Sequence, residues 1–508
     1  MDRRNVLRAG GALLAGALAA GAAGAAAPVA AGAATPRWSR LRGQLTGDLV
    51  LPGDAAYSLA KQTEIAAFDS INPAAIVYCE TPEDVRATIR FATYNGLAAR
   101  TRSGGHNFAG WSTGEGVIID VSRFNQAQVT GSTVHIGPGT QGIDALTKLG
   151  PLGKQLAAGT CPTVRAGGWL TGGGVGFQTR TFGVGSDRLV SALIALADGR
   201  VVRASATEYP DLFWAIRGGG GGNFGIVLDF EVTPINAPRM VYYNLAWSWD
   251  DAPAFLTAWQ QWSVAAPRTL SSQVIAVLPD AAPGTAPIVL MQGAYFGPQA
   301  SLETALAELA SEAGAQPVSS TVLDKPYTEA MLNVYGCADL STDQCQRVGT
   351  NPEATIARAG WQRLRTRLSS RPFTAGEVNA VLAAFDADRR PGNTRYLSFT
   401  GLGGAANDPS PWATAYVHRT TEFQVGYGVA IANPRPDAAD AQAASAWTDR
   451  GFNVINPLSN GESYINFPDM SLTDWQRSYY GGNYARLLMV KAKYDPYSFF
   501  NHPRSIGS

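Results

Sequence analysis

Arg102-Ser103-Gly104-Gly105-His106-Asn107-Phe108 stands directly after a short strand pattern, and its reading sets the frame for the rest of the chain. Two adjacent glycines let the backbone turn so that successive N–H groups converge, and such a nest binds phosphate without basic side chains. A second loop, Gly159-Thr160-Cys161-Pro162-Thr163-Val164-Arg165-Ala166-Gly167-Gly168, runs on into Gly172-Gly173-Gly174-Val175-Gly176, where backbone can approach a planar ligand closely. A third, Gly218 to Gly222 with Asn223-Phe224-Gly225, leads into a strand, Ile226-Val227-Leu228. None fits the Gly-rich fingerprint of a doubly wound sheet. Gly172-x-Gly174 has no clean strand before it, Phe177 stands where the closing glycine belongs, and no acidic residue sits in the expected place. Singly, each loop is a turn in a glycine-rich chain; if they bind a dinucleotide together, they do so on another fold.

Outward from the first loop, Ala74 to Cys79 is a strand pattern followed by Thr81-Pro82-Glu83-Asp84, a capping threonine with proline at the first helical position and aspartate at N3. Val85, Ile89 and Ala92 recur at helical spacing and Gly96 closes the helix. With strands over Val117–Val121 and Val134–Ile136, residues 71–236 read as a compact α+β unit. From residue 237 the texture changes. Tyr242 to Trp249 alternates, Phe255 to Trp262 has helical spacing, and strands recur near 286–295, 395–402 and 421–431. Residues 237–463 are therefore expected to form a large antiparallel sheet with helices on one face. Residues 464–508 return to helix: Ser471 to Asp474 is a possible capping box, and Tyr484, Leu487 and Leu488 share a face before Asp495-Pro496.

The chain has 508 residues with 40 Lys+Arg against 40 Asp+Glu, a balance that gives no electrostatic case for nucleic acid. Four cysteines cannot build a disulfide scaffold, and 45% hydrophobic residues can bury a large core. Arg3-Arg4 before an uncharged Ala/Gly-rich run to Ala34, with Ala31-Gly32-Ala33 as a cleavage site, predicts a twin-arginine signal over residues 1–34; a membrane anchor is the alternative. That route carries folded proteins, which suits a cofactor installed before export.

The order and wording of the motifs resemble the FAD-linked oxidases of the berberine bridge enzyme type, of the vanillyl-alcohol oxidase superfamily. The matching stretches are Arg102 to His106, Gly159 to Thr163, Gly167-Gly168 with Gly172 to Gly174, Asp211-Leu-Phe-Trp-Ala-Ile-Arg-Gly218 into Asn223 to Gly225, Tyr464-Ile465-Asn466, and Tyr484-Ala-Arg-Leu487 to Asp495-Pro496. The style is that of secreted, aclacinomycin oxidoreductase-like bacterial enzymes. The resemblance implies a PCMH-type FAD-binding domain completed by the C-terminal segment, with a substrate domain between. It also implies FAD held twice, His106 on the 8α-methyl carbon and Cys161 on C6. From the residues alone, His106 reads as a histidine bonding backbone in a turn and Cys161 as a buried thiol. Further cofactor contacts implied are Arg102, Ser103, Gly104, Gly105, Asn107, Gly159, Thr160, Gly167, Gly168, Gly172, Gly174, Gly176, Val227, Asn466 and Asn483.

Oxidising an alcohol needs a base for the hydroxyl proton while hydride leaves carbon. The resemblance places Tyr464 over the flavin in that role; Phe467 stands where some relatives carry a second tyrosine. Alternation puts Tyr396, Ser398 and Thr400 on one face of a strand, and Tyr396 is either a second catalytic tyrosine or a half-buried sheet aromatic. His135, His418 and His502 form no metal cluster, and Cys337 with Cys345 is a candidate loop disulfide. Of the tryptophans that could stack on a sugar, Trp111 and Trp169 among them, most are expected to be packing. The function implied is an exported oxidase taking hydride from an alcohol carbon of a sugar or secondary metabolite, with O2 reduced to H2O2. The alternatives are C–H oxidation or ring closure on a natural product, and a binding protein with a redox-inactive flavin.

Overall fold

The computed structural model describes residues 36–508, so the expected signal over residues 1–34 lies outside the described residues. In the first unit β1 (Asp48–Val50) pairs antiparallel with β2 (Ala75–Tyr78), while β3 (Ala99–Arg102) and β4 (Val117–Asp120) run parallel to β2 in the order β1-β2-β4-β3. The helix after Thr81 forms as α1 (Pro82–Tyr94), with the Thr81–Asp84 box in place and Gly96 turning out at positive φ. Asp84 does more than cap. Its buried carboxylate also accepts the N–H groups of Thr46 and Gly47, at 2.7 and 3.2 Å, and so docks β1, which lies upstream of residue 71.

A second, antiparallel sheet is made by β5 (Ala127–Thr130), β6 (Thr133–Ile136), β7 (Leu189–Ala195), β8 (Val201–Ser205) and β9 (Ile226–Val232), in the order β5-β6-β9-β7-β8. Between β6 and β7 runs the second glycine loop with the short α2 (Ala166–Thr171).

The second unit is a seven-stranded antiparallel sheet of β10 (Arg239–Trp247), β11 (Leu270–Leu278), β12 (Ile288–Tyr295), β13 (Ser319–Pro326), β14 (Trp361–Ser369), β15 (Asn393–Gly401) and β16 (Phe423–Ile431), ordered β13-β10-β12-β11-β15-β16-β14. Alternation divides its faces. Tyr243, Leu245, Leu397, Phe399 and Val425 pack beneath α3 (Ala252–Ala265), α4 (Gln299–Ala313), α6 (Ala375–Asp386) and α7 (Ala438–Ile455). On the other face Met240 and Tyr242 take the remaining helix, α5 (Tyr327–Val334), at one end.

No strand is expected from the sequence over 361–369, because Arg363, Arg365 and Arg367 alternate where an inward row should be apolar. All three are buried on the helix side of β14. Arg365 binds Asp469 at 2.7 Å and Asp449 at 2.8 Å with its guanidinium over Phe452, and Arg367 reaches Ser478 at 2.9 Å.

Two tail expectations are corrected. The box over Ser471–Asp474 is absent because Ser471 Oγ accepts from Arg363, and the helix starts only at Trp475, with no side-chain cap from Asp474. In α8 (Tyr484–Tyr494) Leu488 is exposed, while Leu487, Val490, Lys491 and Tyr494 are buried. Lys491 Nζ donates to Asn223 O, Asp495 Oδ2 and Phe500 O at 2.5–2.7 Å, tying the tail to the third glycine loop.

Asp469→Ala removes the buried partner of Arg365 and leaves it only the half-exposed Asp449. It is therefore expected to cost ~1.5–3 kcal/mol, the worth of a buried charge-assisted hydrogen bond, read as a lowered midpoint in denaturant unfolding. Asp324→Ala, which breaks the exposed pair with Arg239, should cost under ~1 kcal/mol.

Candidate active site

One cavity opens between the three glycine loops and the C-terminal segment, and most of the residues singled out from the sequence converge on it. Arg102, Ser103, Gly104, Gly105, His106 and Asn107 line it from the first loop, Gly159, Thr160, Cys161, Gly167 and Gly168 from the second, Val227 from β9, and Tyr464 and Asn466 from the tail. The N–H groups of Gly104, Gly105 and His106 have no acceptor among the described residues, so they remain available to a ligand. Gly105 needs φ of +72°, and a side chain on Gly167 would strike Ser103 Oγ at 2.9 Å.

Thr163 joins the two loops. Its hydroxyl lies 3.0 Å from His106 Nε2 and 3.4 Å from Cys161 Sγ. Burial, with Arg347 and Arg165 nearby, lowers the pKa of His106 to about 3, so the imidazole is neutral at ordinary pH. Burial, with the Glu64 carboxylate nearby, pushes the Cys161 thiol up.

Tyr464 is buried with its phenol oxygen fixed. It accepts the Gly174 N–H at 2.8 Å and the Asn466 side-chain amide at 2.9 Å, and that amide also donates to Trp169 O at 3.1 Å. Burial raises the pKa of the phenol, and these two donors oppose the rise because they favour the phenolate. Phe467 packs edge-on against Tyr464 and Phe108 against Phe467, giving an apolar wall.

Five expected site residues stay off the cavity wall. Gly172, Gly174 and Gly176 lie behind it: Gly172 leaves room for Asn466, whose Oδ1 would be 2.0 Å from an added Cβ; Gly174 presents its N–H to Tyr464; and Gly176 passes close to Ala158 O. Asn483 is buried and spends its amide on Pro411 O, Thr414 O and Ala415 O. Tyr396 is on the predicted face of β15 but packs with Ile275 and Val277, apart from Tyr464. Conversely Arg165, Gly220–Gly222, Asn501 and His502 line the cavity without having been singled out as site residues. His502, stacked on Trp111 at 4.3 Å, carried only the signal of a C-terminal histidine.

Two family models match the chain: FAD binding domain over residues 73–205, and berberine and berberine-like over residues 463–507. Chitooligosaccharide oxidase of Gibberella zeae is 29% identical, with 90% of this chain and 92% of that protein aligned. Glucooligosaccharide oxidase of Sarocladium strictum is 30% identical, with 86% of this chain and 87% of that protein aligned. The chain belongs to the berberine bridge enzyme-like family. A solved structure of glucooligosaccharide oxidase from Acremonium strictum, described with 6-S-cysteinyl, 8α-N1-histidyl FAD, superposes with a TM-score of 0.80 at 25% identity over 93% of this chain and 99% of that one. This berberine bridge enzyme-like protein is an FAD-dependent oxidoreductase with a PCMH-type fold. Its free loop N–H groups suit a pyrophosphate, and the wall of Trp169, Phe108 and Phe467 beside Tyr464 suits a planar ring system.

Gly172 has a negative φ open to alanine, and the three atoms nearest an added Cβ all belong to Asn466. Gly172→Ala is expected to push the Asn466 amide off Tyr464 and lower kcat by about 10- to 100-fold, the worth of one hydrogen bond to a charged group. Steady-state kinetics beside flavin content checks it.

Proposed function

We propose that this protein is an exported oxidase that takes hydride from an alcohol carbon of a carbohydrate or sugar-bearing metabolite, using FAD held at both His106 and Cys161. The observation that carries the reading is the phenol oxygen of Tyr464, fixed at the cavity wall by two N–H donors, with His106 and Cys161 bridged by Thr163 in the same cavity. The aligned oligosaccharide oxidases support a carbohydrate as substrate. The twin-arginine N-terminus supports export of a folded, loaded protein.

FAD, when bound, would supply the hydride acceptor and the route by which two electrons reach O2 to give H2O2. The chain's own residues handle the proton. With both acceptor positions of Tyr464 occupied by N–H donors, its remaining site faces the substrate hydroxyl, whose proton it takes as the C–H bond breaks. Gly174 N–H and Asn466 hold the phenolate, and Phe467 and Phe108 exclude water beside it. His106 stays neutral through burial, which keeps a nitrogen lone pair for a bond to carbon. Tyr396 lies outside this arrangement, so one tyrosine carries the base function.

Acid precipitation of the mature protein is expected to keep the flavin colour in the pellet for the wild type and for His106→Ala and Cys161→Ala singly, with release only from the double variant. Wash-out from the wild type overturns the double attachment.

Tyr464→Phe should retain the flavin and lose ~10²–10⁴-fold in kcat. Because the base acts as phenolate and burial raises its pKa, wild-type turnover should climb with pH toward the alkaline side. That limb should vanish in Tyr464→Phe, and near-normal turnover in the variant defeats the assignment.

A further inference from the structure

Glu64 is a buried carboxyl group that the proposed reaction does not use. It lies in the linker between β1 and β2, and its side chain is only 6% exposed. Its Oε2 has no hydrogen-bond partner among the described residues. Burying a carboxylate without hydrogen bonds is costly, and here it stands 3.6 Å from His106 Nε2.

Its position is built from both sides. The Glu64 N–H donates to Gly105 O and its carbonyl accepts from Ala359 N, both at 3.1 Å, so the residue is stitched between the first glycine loop and the segment before β14. Arg347 and Arg358 reach over from that segment; each gives one N–H to Thr63 O, at 2.8 Å, Arg358 gives two more to Asp69, and neither donates to Glu64. The carboxylate thus has cations nearby and no hydrogen bond from either. Burial outweighs the two arginines and lifts its pKa to about 7, where a carboxyl can both give and take a proton.

The Thr163 hydroxyl and the Glu64 carboxylate both lie against Nε2, and no side-chain partner meets Nδ1 among the described residues. We propose that Glu64 accepts the Nε2 proton of His106 as Nδ1 bonds to the 8α carbon of FAD, making it the positioning residue for that attachment. The inference rests on His106 being an attachment residue. In the step, an N–C bond forms while one methyl C–H bond and the imidazole N–H bond break. One proton passes to Glu64 and the other to water, and the C–H electron pair reduces the ring system by two electrons. Dioxygen takes those electrons and two protons as H2O2. The net change is FAD plus imidazole plus O2 to linked FAD plus H2O2.

The test reads attachment in the intact, flavin-loaded protein rather than turnover. In a Cys161→Ala background His106 is the remaining link, and the fraction of flavin kept by the acid pellet measures it. Adding Glu64→Gln, which keeps the shape and removes the base, is expected to leave a yellow folded protein whose pellet retains at least tenfold less flavin. Adding Glu64→Asp instead, which keeps the carboxylate on a shorter arm, should restore most of the retention; a merely structural role would favour glutamine over aspartate. Glu64→Gln with Cys161 intact should keep its flavin through sulfur, which shows the cavity to be formed.

Full retention in Glu64→Gln/Cys161→Ala overturns the role of Glu64 and leaves the attachment standing. Release from Glu64→Gln with Cys161 intact also overturns it, by making Glu64 a residue of the cavity as a whole. Release from Cys161→Ala alone overturns the attachment at His106 and this inference with it.

Discussion

The buried arginine row of β14 governs where the site residues of the tail stand. Arg365 grips Asp469, and Arg367 reaches Ser463 and Ser478, so the segment carrying Tyr464 and Asn466 is fastened at both ends to the seven-stranded sheet. Its middle is fastened to the FAD unit through the Gly174 N–H and Trp169 O. Three guanidinium groups inside a sheet-helix interface are expensive to desolvate, and satisfied pairs of this kind add little net stability. They do fix geometry, because a guanidinium fork tolerates little displacement of a carboxylate. The chain thereby brings a phenol from its last fifty residues against backbone of its second glycine loop.

Burial sets the protonation of the site, and it acts in opposite senses on different groups. It holds His106 neutral, keeps the Cys161 thiol and the Tyr464 phenol protonated at rest, and lifts Glu64 toward neutrality. Hydrogen bonds then decide where each proton can go. Tyr464 receives two N–H donors and so is prepared for negative charge, while Cys161 and His106 share the Thr163 hydroxyl. Tyr464 becomes a base only after its phenol has lost its proton, and the N–H donors that hold the phenolate are already placed, so little reorganisation is needed once it forms.

What could be read in the sequence is what local chemistry decides. Thr81-Pro82-Asp84 marked a helix start because a capping box is a local hydrogen-bond pattern. Ser471 to Asp474 has the same letters and forms no box, because a distant arginine claims the serine. Alternation correctly put Tyr396 and Leu397 on opposite faces of β15, but whether a face meets a cavity or a neighbouring strand depends on the assembled sheet, where Ile275 and Val277 cover Tyr396. β14 escaped notice because its inward residues are arginines, whose burial makes sense only beside Asp449 and Asp469. The glycine loops pointed to the site; the tight approach of Gly172 to Asn466 involves a partner some three hundred residues away.

The unit of the seven-stranded sheet also meets the first unit at a point no motif marks. The disulfide between Cys337 and Cys345 closes the loop that leads to Arg347. Arg347 and Arg358 then converge on Thr63 O, and Ala359 pairs with the same strand-like segment through Glu64 O and Ala66 N. Residues 63–66 are thus held as an extra edge between the units, with the Glu64 side chain turned toward His106. Shortening or loosening the 337–360 segment would act on the histidine of the first loop through this edge, although the segment contributes no residue to the wall of the cavity.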